Sequence, residues 1–361
     1  MLKYFNYRKS NDEEFDNIVE CTLDLARATY ENKKSDDYKE KNAQVLNALG
    51  KKCVEGTRFE AMFEEKGLAV FNNPNVKNNQ TVREMLNAVI AQVTTAIVPE
   101  VVNDTFSGLI AEIHQVGYGE TARFIIESND LFKVNSKAEG IRKGVDQPLF
   151  NEEITVVGSP VEISVSIDWY PFVAGIMDLG QFTMRIAKSF MAYIFLKTVK
   201  GMTQASVDFG AAYNTNGVTP ALWGTLRERV QAANGGMNVI AVGTAVALSS
   251  VSLQGNFQVE IGEEMNKVGY LDQYLGVPLI ALNNVLVPGT TNGTADLVLD
   301  DRKIFMIPVA GTRPVKILFE GDEVSVAFDP EHTSDKRYGV TITYIIGVEA
   351  IISSKIGTVT I

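Results

Sequence analysis

Side chains that bind metals or take part in redox chemistry are scarce in this sequence. Cysteine occurs only at Cys21 and Cys53, without a Cys-x-x-Cys spacing and with no histidine nearby. Because zinc sites need several such ligands at short spacings, this pair is not a metal-binding set. We expect both thiols to be reduced and to be ordinary structural side chains.

Long apolar runs are lacking as well. No stretch of eighteen apolar residues occurs, and the first residues, Met1-Leu2-Lys3-Tyr4-Phe5, do not resemble the apolar region of a signal peptide. The sequence therefore predicts no membrane association. We expect the chain to stay in the cytoplasm of the cell that makes it.

Positive charge is in deficit. The chain has 33 lysine and arginine residues against 44 aspartate and glutamate residues, which gives a net charge of −11. Sequence-specific binding of nucleic acid normally requires a basic face, because neutralising phosphates supplies most of the affinity. The pairs Lys33-Lys34 and Lys51-Lys52 are interrupted by acidic residues, so we interpret them as solvated helix faces. We expect no sequence-specific contact with DNA, which an acidic surface would repel.

Candidate catalytic residues are few. His114 lies in an apolar segment, which favours a core or boundary position. His332 lies in an acidic segment, residues 329–335, that could hold a divalent metal but is more typical of an exposed turn between strands. Gly243 and Thr244 follow a predicted strand, yet the P-loop lysine and the three-glycine dinucleotide fingerprint are missing. We expect no cofactor and no catalytic residue, and a metal-dependent enzyme that uses residues 329–335 is the alternative.

The most informative segment that is present covers residues 118–168. It is sparse in apolar residues, yet Phe124-Ile125-Ile126, Leu149-Phe150 and residues 161–165 have the composition of strands that run out and back. Some twenty residues each way would reach roughly 60 Å, which exceeds the width of a domain of this size. Such an arm must be buried elsewhere, and another copy of the same chain is the natural supplier. The pattern therefore predicts self-assembly.

Helices are predicted on both sides of this segment. Residues 1–75 are charged and helical, and Thr81 begins a capping-box pattern for a helix to Ile97 that Pro99 ends. A long helix should follow from Asp178 to Gly201, with apolar residues on two faces. The residues that we expect to pack on these faces are Phe182, Ile186, Phe190 and Tyr193 on one and Met184, Met191 and Phe195 on the other.

The rest of the chain has two regions with different predicted secondary structure. Residues 219–282 alternate between helical and strand patterns, with a helix at 219–233, a strand at 237–242, a short helix that begins at Thr244, and a strand at 277–282. The last fifty residues are rich in strands, and we find no internal repeat and no low-complexity segment. With 45% hydrophobic residues over 361 positions, the chain can form two or three folded units.

From about Glu120 to the C-terminus this order of parts resembles the major capsid proteins of tailed double-stranded DNA bacteriophages. The resemblance rests on the arm at 124–168, the long helix, Tyr274-Leu275-Gly276-Val277-Pro278-Leu279 before a strand, residues 299–308, and the closing strands. It implies an α+β fold of the Hong Kong 97 type. The implied domains are an N-terminal arm at 1–75, a helical lead-in to the peripheral domain at 76–117, an extended loop at 118–168, a peripheral domain with a spine helix at 169–217, an axial domain at 218–310 and closing peripheral strands at 311–361.

The same resemblance implies a structural function and no enzyme activity. Hexamers and pentamers of the subunit would form an icosahedral phage head around double-stranded DNA, with scaffolding and portal proteins as further partners. The chain would be assembled in the host bacterial cytoplasm and would end in the virion. The expected inter-subunit contacts in the extended loop are Phe124, Lys133, Lys137, Arg142, Lys143, Leu149 and Phe150.

One departure from the family concerns cross-linking. Some members join their subunits covalently through a lysine of the extended loop and an asparagine of a neighbour's peripheral domain. Lys133, Lys137 and Lys143 are candidate lysines here, but no asparagine follows Asn292. We therefore expect a non-covalent shell. An encapsulin-type compartment with an enzyme cargo, and an adhesin or tail component, are the alternatives among assembled proteins.

Overall fold

The computed structural model describes residues 12–106, 110–126, 134, 152–167, 169–252, 269–289, 296–309, 313–328, 338–350 and 355–361. The fold is a mixture of helices and strands, as the sequence predicts. The helices are α1 (Glu13–Tyr30), α2 (Tyr38–Val54), α3 (Glu60–Lys66), α4 (Pro74–Lys77), α5 (Gln80–Phe106), α6 (Trp169–Val173), α7 (Leu179–Asp208), α8 (Pro220–Ala233) and α9 (Ala245–Ser252), with 3₁₀ turns at Gly67–Asn72 and Ala211–Tyr213.

The strands form two larger sheets and one hairpin. They are β1 (Ala111–Val116), β2 (Ala122–Ile126), β3 (Glu152–Val156), β4 (Ser159–Ile167), β5 (Asn214–Asn216), β6 (Val239–Gly243), β7 (Gln273–Tyr274), β8 (Val277–Ala281), β9 (Lys303–Pro308), β10 (Val315–Phe328), β11 (Tyr338–Ala350) and β12 (Gly357–Thr360). One sheet has the order β1-β10-β11-β4 and the other β5-β12-β9-β6-β8-β7, while β2 pairs with β3 alone.

Helix α7 is the central element of the larger core. It begins where the Asp178 carboxylate accepts the Gln181 N–H at 2.8 Å, as expected of an N-cap. It then packs on α1, α5 and strand β11. The predicted long helix is confirmed, but it continues past Gly201 to Asp208. A Cβ at Gly201 would lie 3.2 Å from the Ala350 side chain, so glycine here permits close packing on β11 and does not end the helix.

Helix α5 differs from its predicted limits. The Asn79 side chain, not Thr81, accepts a helical N–H, that of Val82, at 3.4 Å. The helix also passes through Pro99 and ends at Phe106 instead of Ile97. Pro99 removes one backbone hydrogen bond, which destabilises the helix locally. Val101 and Val102 beyond it are buried, and their packing outweighs this loss. This helix is long and apolar enough to cross a membrane, yet most of it is buried inside the protein, as in a core helix.

The helices of the N-terminal region also belong to the larger core. Helix α1 packs on α5 and α7, and α2 packs on α5. A Cβ at Gly180 would lie only 2.7 Å from the carbonyl carbon of Leu25, which shows how closely α1 and α7 approach. An ion pair between Arg27 and Glu100 also joins α1 to α5. The described residues up to 75 are therefore mostly packed helices, as their sequence pattern predicts.

The second core lies on the six-stranded sheet. Trp223 and Leu226 of α8 and Leu248 of α9 are buried against it. The predicted helices are confirmed, since Thr219 and Thr244 accept N–H groups of the first turns of α8 and α9. Strand β12 pairs with β9 and β5 in this sheet. The end of the chain thus belongs to a different sheet from β10 and β11.

Candidate assembly surface

The hairpin of β2 and β3 is a sheet of its own, separate from the two larger sheets. Strands β2 and β3 pair antiparallel from Ala122 opposite Val156 to Ile126 opposite Glu152. We call residues 117–126 and 152–158 the hairpin root, because the segment that the two strands enclose begins and ends there. A two-stranded hairpin is only marginally stable in water by itself.

One face of the hairpin root is buried within its own subunit. Ala122, Phe124 and Val156 form a small apolar cluster with Leu318 of β10. Phe124 was predicted to contact a neighbouring subunit. Its ring is instead buried in its own chain, because strand alternation directs it toward the four-stranded sheet.

The opposite face of the hairpin root is exposed and carries both apolar and charged side chains. Ile125 is 71% exposed, and Tyr118 and Val157 beside the two strands are 77% and 73% exposed. Single exposed apolar side chains are common, but three on one small element are typical of a surface that another chain covers. This face also carries an exposed ion pair between Arg123 and Glu153 at 3.3 Å.

A charged cluster holds the hairpin root against the sheet. The buried Lys316 ammonium pairs with Glu112 and lies 5.0 Å from the centre of the Phe124 ring. Glu112 also contacts His114 Nε2 at 2.7 Å, and the His114 ring meets Phe124 edge to face at 4.7 Å. Burial lowers the pKa of Lys316. His114 thus has the boundary position that the sequence predicted.

The strand that follows the hairpin root belongs to the four-stranded sheet. Residues 161–165 belong to β4, which pairs with β11 over its whole length, for example Val161 with Tyr344 and Val165 with Val340. The strand prediction is confirmed, but this strand is part of the four-stranded sheet and does not return along an arm. Lys133, Lys137, Arg142, Lys143, Leu149 and Phe150 lie outside the described residues.

The apolar side chains on two sides of α7 lie in or against the larger core. Met184, Ile186, Phe190 and Phe195 are buried, and Phe182, Met191 and Tyr193 are partly buried against the same core. Phe190 meets Tyr344 of β11 edge to face, with ring centres 4.8 Å apart. Two sides of α7 are therefore covered by its own subunit.

Metal ligands and cysteine thiols were the remaining candidates for chemistry. No group of three or more potential metal ligands occurs among them, and residues 329–335 lie outside the described part. Both cysteines are free. Burial raises the pKa of the Cys53 thiol to about 12, so this thiol is not a reactive thiolate.

Sequence reasoning missed the cluster around Lys316. Lys316 and Glu112 are 204 positions apart, and they meet because β1 and β10 are parallel neighbours with Glu112 opposite Lys316. A lysine inside an apolar strand pattern, Val315-Lys316-Ile317-Leu318, was the one local signal. Such a lysine requires a buried partner.

Comparison with solved structures gives distant matches to phage capsids. The capsid of cyanophage P-SCSP1u has 10% identity and a TM-score of 0.44, over 69% of this chain and 86% of that chain. The mature capsid of bacteriophage PhiM1 has 11% identity and a TM-score of 0.44, over 71% and 86%. The satellite phage P4 procapsid has 9% identity and a TM-score of 0.41, over 78% and 97%.

Sequence comparison gives a match that covers nearly the whole chain. A search of curated proteins found no match. The family model described as "SPbeta prophage-derived putative capsid protein YonB" matches residues 16–360. The chain therefore belongs to the YonB family of prophage-derived capsid proteins and is a structural major capsid protein, not an enzyme.

Proposed function

We propose that this capsid protein builds the icosahedral head from hexamers and pentamers that are joined through the hairpin root and the segment it carries. The observation that supports this proposal is the exposure of Ile125 on the open face of the hairpin root, with Tyr118 and Val157 also exposed beside the two strands. A neighbouring subunit that covers this face removes apolar area from water and stabilises a hairpin that is marginal alone. Rings arise when such head-to-tail contacts close.

The proposed fold is of the Hong Kong 97 type. In this arrangement the peripheral domain contains α5, α7 and the four-stranded sheet, and the axial domain contains α8, α9 and the six-stranded sheet. Three further assignments are based on the packing of the elements. The proposed extended loop covers residues 118–158, because β4 pairs with β11. Strand β12 is assigned to the axial domain, and α1 and α2 to the peripheral domain. Scaffolding and portal proteins and packaged double-stranded DNA are the proposed partners.

The experiment compares adjacent residues that point to opposite faces of β2. Ile125→Glu places a charge on the open face, so we expect the unfolding free energy of the subunit to change by less than about 0.5 kcal/mol. Closed shells should be lost, because a buried unpaired charge is costly at an interface. Phe124→Ala should instead destabilise the subunit itself by about 3 kcal/mol, because it opens a cavity.

Shells are scored by electron microscopy and subunits by urea unfolding. The matched control is Val246→Glu, which places the same charge at an exposed apolar position of α9 and should leave both assembly and stability close to wild type. Closed shells at wild-type yield from Ile125→Glu would show that this face is not an assembly contact.

A further inference from the structure

Helices α1 and α2 leave a groove open along one side. The two helices run antiparallel, because the Thr29 and Tyr38 hydroxyls lie 2.9 Å apart at one end and Lys52 Nζ lies 2.6 Å from an Asp12 carboxylate oxygen at the other. The groove between them has a volume of about 700 Å³. Its apolar lining consists of Ile18, Cys21, Leu25 and Ala28 of α1 and Val45 and Ala48 of α2. We call it the α1–α2 groove.

The α1–α2 groove has the dimensions of one further segment of chain. Ile18 and Leu25 are buried at its base, whereas Cys21 and Ala28, which alternate with them along the same row of α1, are too small to fill the space above. From Glu14 to Ala28 the groove is about 21 Å long, at 1.5 Å per helical residue. An apolar groove between two helices is a common docking site for a third segment.

The described chain begins at one end of this groove. The Asp12 carboxylate caps α1, where it accepts the N–H groups of Glu14 and Phe15 at 3.1 and 3.2 Å. The same carboxylate pairs with Lys52, which lines the groove. Residues 1–11 lie outside the described residues. They are nevertheless tethered at the end of the groove, because Asp12 is fixed there.

The sequence of residues 1–11 matches the groove in length and polarity. Five of its first seven residues are apolar or aromatic, and these are Met1, Leu2, Tyr4, Phe5 and Tyr7. Ser10-Asn11 is typical of a turn and allows the chain to reverse direction before Asp12. Residues 1–9 in extended form would reach roughly 30 Å, which is enough to follow the groove over its whole length.

Charge also favours this segment. Lys3, Arg8 and Lys9 are basic, and no acidic residue occurs before Asp12. Helix α1 is acidic, with Arg27 as its only basic residue. Its exposed acidic side chains are Glu13, Glu14, Glu20 and Asp24. The basic side chains of the segment therefore have partners along α1, in a chain that is acidic overall.

We propose that residues 1–9 fold back at Ser10-Asn11 and occupy the α1–α2 groove of their own subunit, in extended form and antiparallel to α1. The apolar side chains of the segment cover the base of the groove, and its basic side chains face α1. A short tether holds the segment at an effective concentration on the order of millimolar, so even a weak contact is occupied. A second copy of the chain, or another protein, would have to displace it.

Cys21 provides a measurement of whether the groove is covered. Its thiol is exposed in the groove, whereas Cys53 is buried. Burial raises the pKa of Cys53 to about 12, so this second thiol stays protonated and inaccessible to a reagent. A maleimide should therefore label folded subunits at Cys21 alone. The labelling rate reports how often the segment leaves the groove.

The first experiment measures labelling of unassembled full-length subunits by N-ethylmaleimide, followed by intact mass spectrometry. We expect Leu2→Glu/Phe5→Glu to be labelled at least about tenfold faster than wild type, because charged side chains do not bind the apolar groove. Deletion of residues 2–9 should give the same rate. The matched control is Asn6→Glu/Lys9→Gln, which changes the net charge by the same amount but keeps every apolar side chain. It should stay within about threefold of wild type.

The second experiment identifies the chain that supplies the segment. Cys21 is eight residues beyond Glu13, which is about 12 Å along the helix axis. An extended chain covers this distance in about four residues, so Asn6 should lie level with Cys21. Under mild oxidation Asn6→Cys should form a disulfide with Cys21 within one chain, which migrates faster on a non-reducing gel and no longer reacts with maleimide. Asn6→Ser is the control and should keep its free thiol.

Three results would overturn the proposal. A disulfide-linked dimer of Asn6→Cys would mean that the segment binds the groove of a second copy. Equal labelling rates in wild type, Leu2→Glu/Phe5→Glu and the deletion would mean that the segment does not cover the groove. Equal acceleration in Asn6→Glu/Lys9→Gln would mean that charge, and not apolar packing, holds it. All three are measured on single subunits, so a failure to form shells would contradict the capsid proposal alone.

Discussion

Leu275 is the residue whose backbone conformation is least expected. Its φ is 47°, in the left-handed region, and with Gly276 at 76° it forms the tight turn between β7 and β8. Side chains other than glycine and asparagine rarely adopt this region because Cβ approaches the following carbonyl oxygen. Arg227 Nη1 donates to the Leu275 carbonyl at 2.7 Å and supports the turn. The exposed leucine is thus held in a strained conformation.

Replacing Leu275 should therefore stabilise the subunit. We expect Leu275→Asn to raise the free energy of unfolding by about 1 kcal/mol, because asparagine tolerates the left-handed conformation. The measurement is urea unfolding of unassembled subunits. Leu286→Asn is the matched control, since Leu286 is similarly exposed, 43% against 48%, and its φ is not positive. A gain of the same size in both variants would show that removal of an exposed apolar group, and not backbone strain, is the cause.

At the scale of elements, hydrogen bonds connect the N-terminus of α7 to the start of α2. The Asp178 carboxylate accepts hydrogen bonds from Tyr38 Oη at 2.6 Å and from Lys34 Nζ at 2.9 Å, in addition to the Gln181 N–H. Burial raises the pKa of Asp178, but these hydrogen bonds outweigh burial and the net pKa lies below 3.8. Burial and the bond to Asp178 raise the pKa of Tyr38 to about 12.

Removing this cap should destabilise the subunit. We expect Asp178→Ala to cost about 2 kcal/mol and Asp178→Asn about 1 kcal/mol, because asparagine still accepts the Gln181 N–H. The pKa of Asp178 is lower in the folded than in the unfolded state. Its contribution is therefore complete above the unfolded value of 3.8 and is lost as pH falls through the folded value.

Urea unfolding at several pH values tests this prediction. The difference between wild type and Asp178→Asn should be constant at neutral pH and should shrink below about pH 4. Asp208→Asn, at the exposed opposite end of α7, is the control and should change stability by less than about 0.5 kcal/mol. A wild-type advantage that persists unchanged at pH 2 would contradict the assigned role of the carboxylate.

The limits and the location of some elements can be predicted from the sequence, and those of others cannot. Helix α7 was predictable because its two apolar faces and its cap are local patterns. The path of α5 through Pro99 was not, since the burial of Val101 and Val102 depends on other elements. The location of β4 was missed for a similar reason. Its pairing with β11 joins positions about 180 residues apart, and an alternating pattern does not identify the partner strand.

At the scale of the whole molecule, charge was the least predictable property. The net charge predicts an acidic surface, whereas four basic residues, Arg185, Lys188, Lys197 and Lys200, are exposed around the uncovered half of α7. Their spacing, two pairs at i and i+3, was visible in the sequence. Which side of a doubly covered helix stays exposed depends on α1, α5 and β11, which come from distant parts of the chain.

The last prediction concerns how whole subunits are held in the shell. No asparagine follows Asn292 that could accept a lysine cross-link, so we expect purified particles to give a single band at the mass of one subunit on a denaturing gel. Shells held only by non-covalent contacts should dissociate in urea with a midpoint that rises with total subunit concentration, because association follows mass action. The midpoint is measured by light scattering at two subunit concentrations about tenfold apart. A ladder of multimers on the gel, together with a midpoint that does not depend on concentration, would show that the shell is covalent.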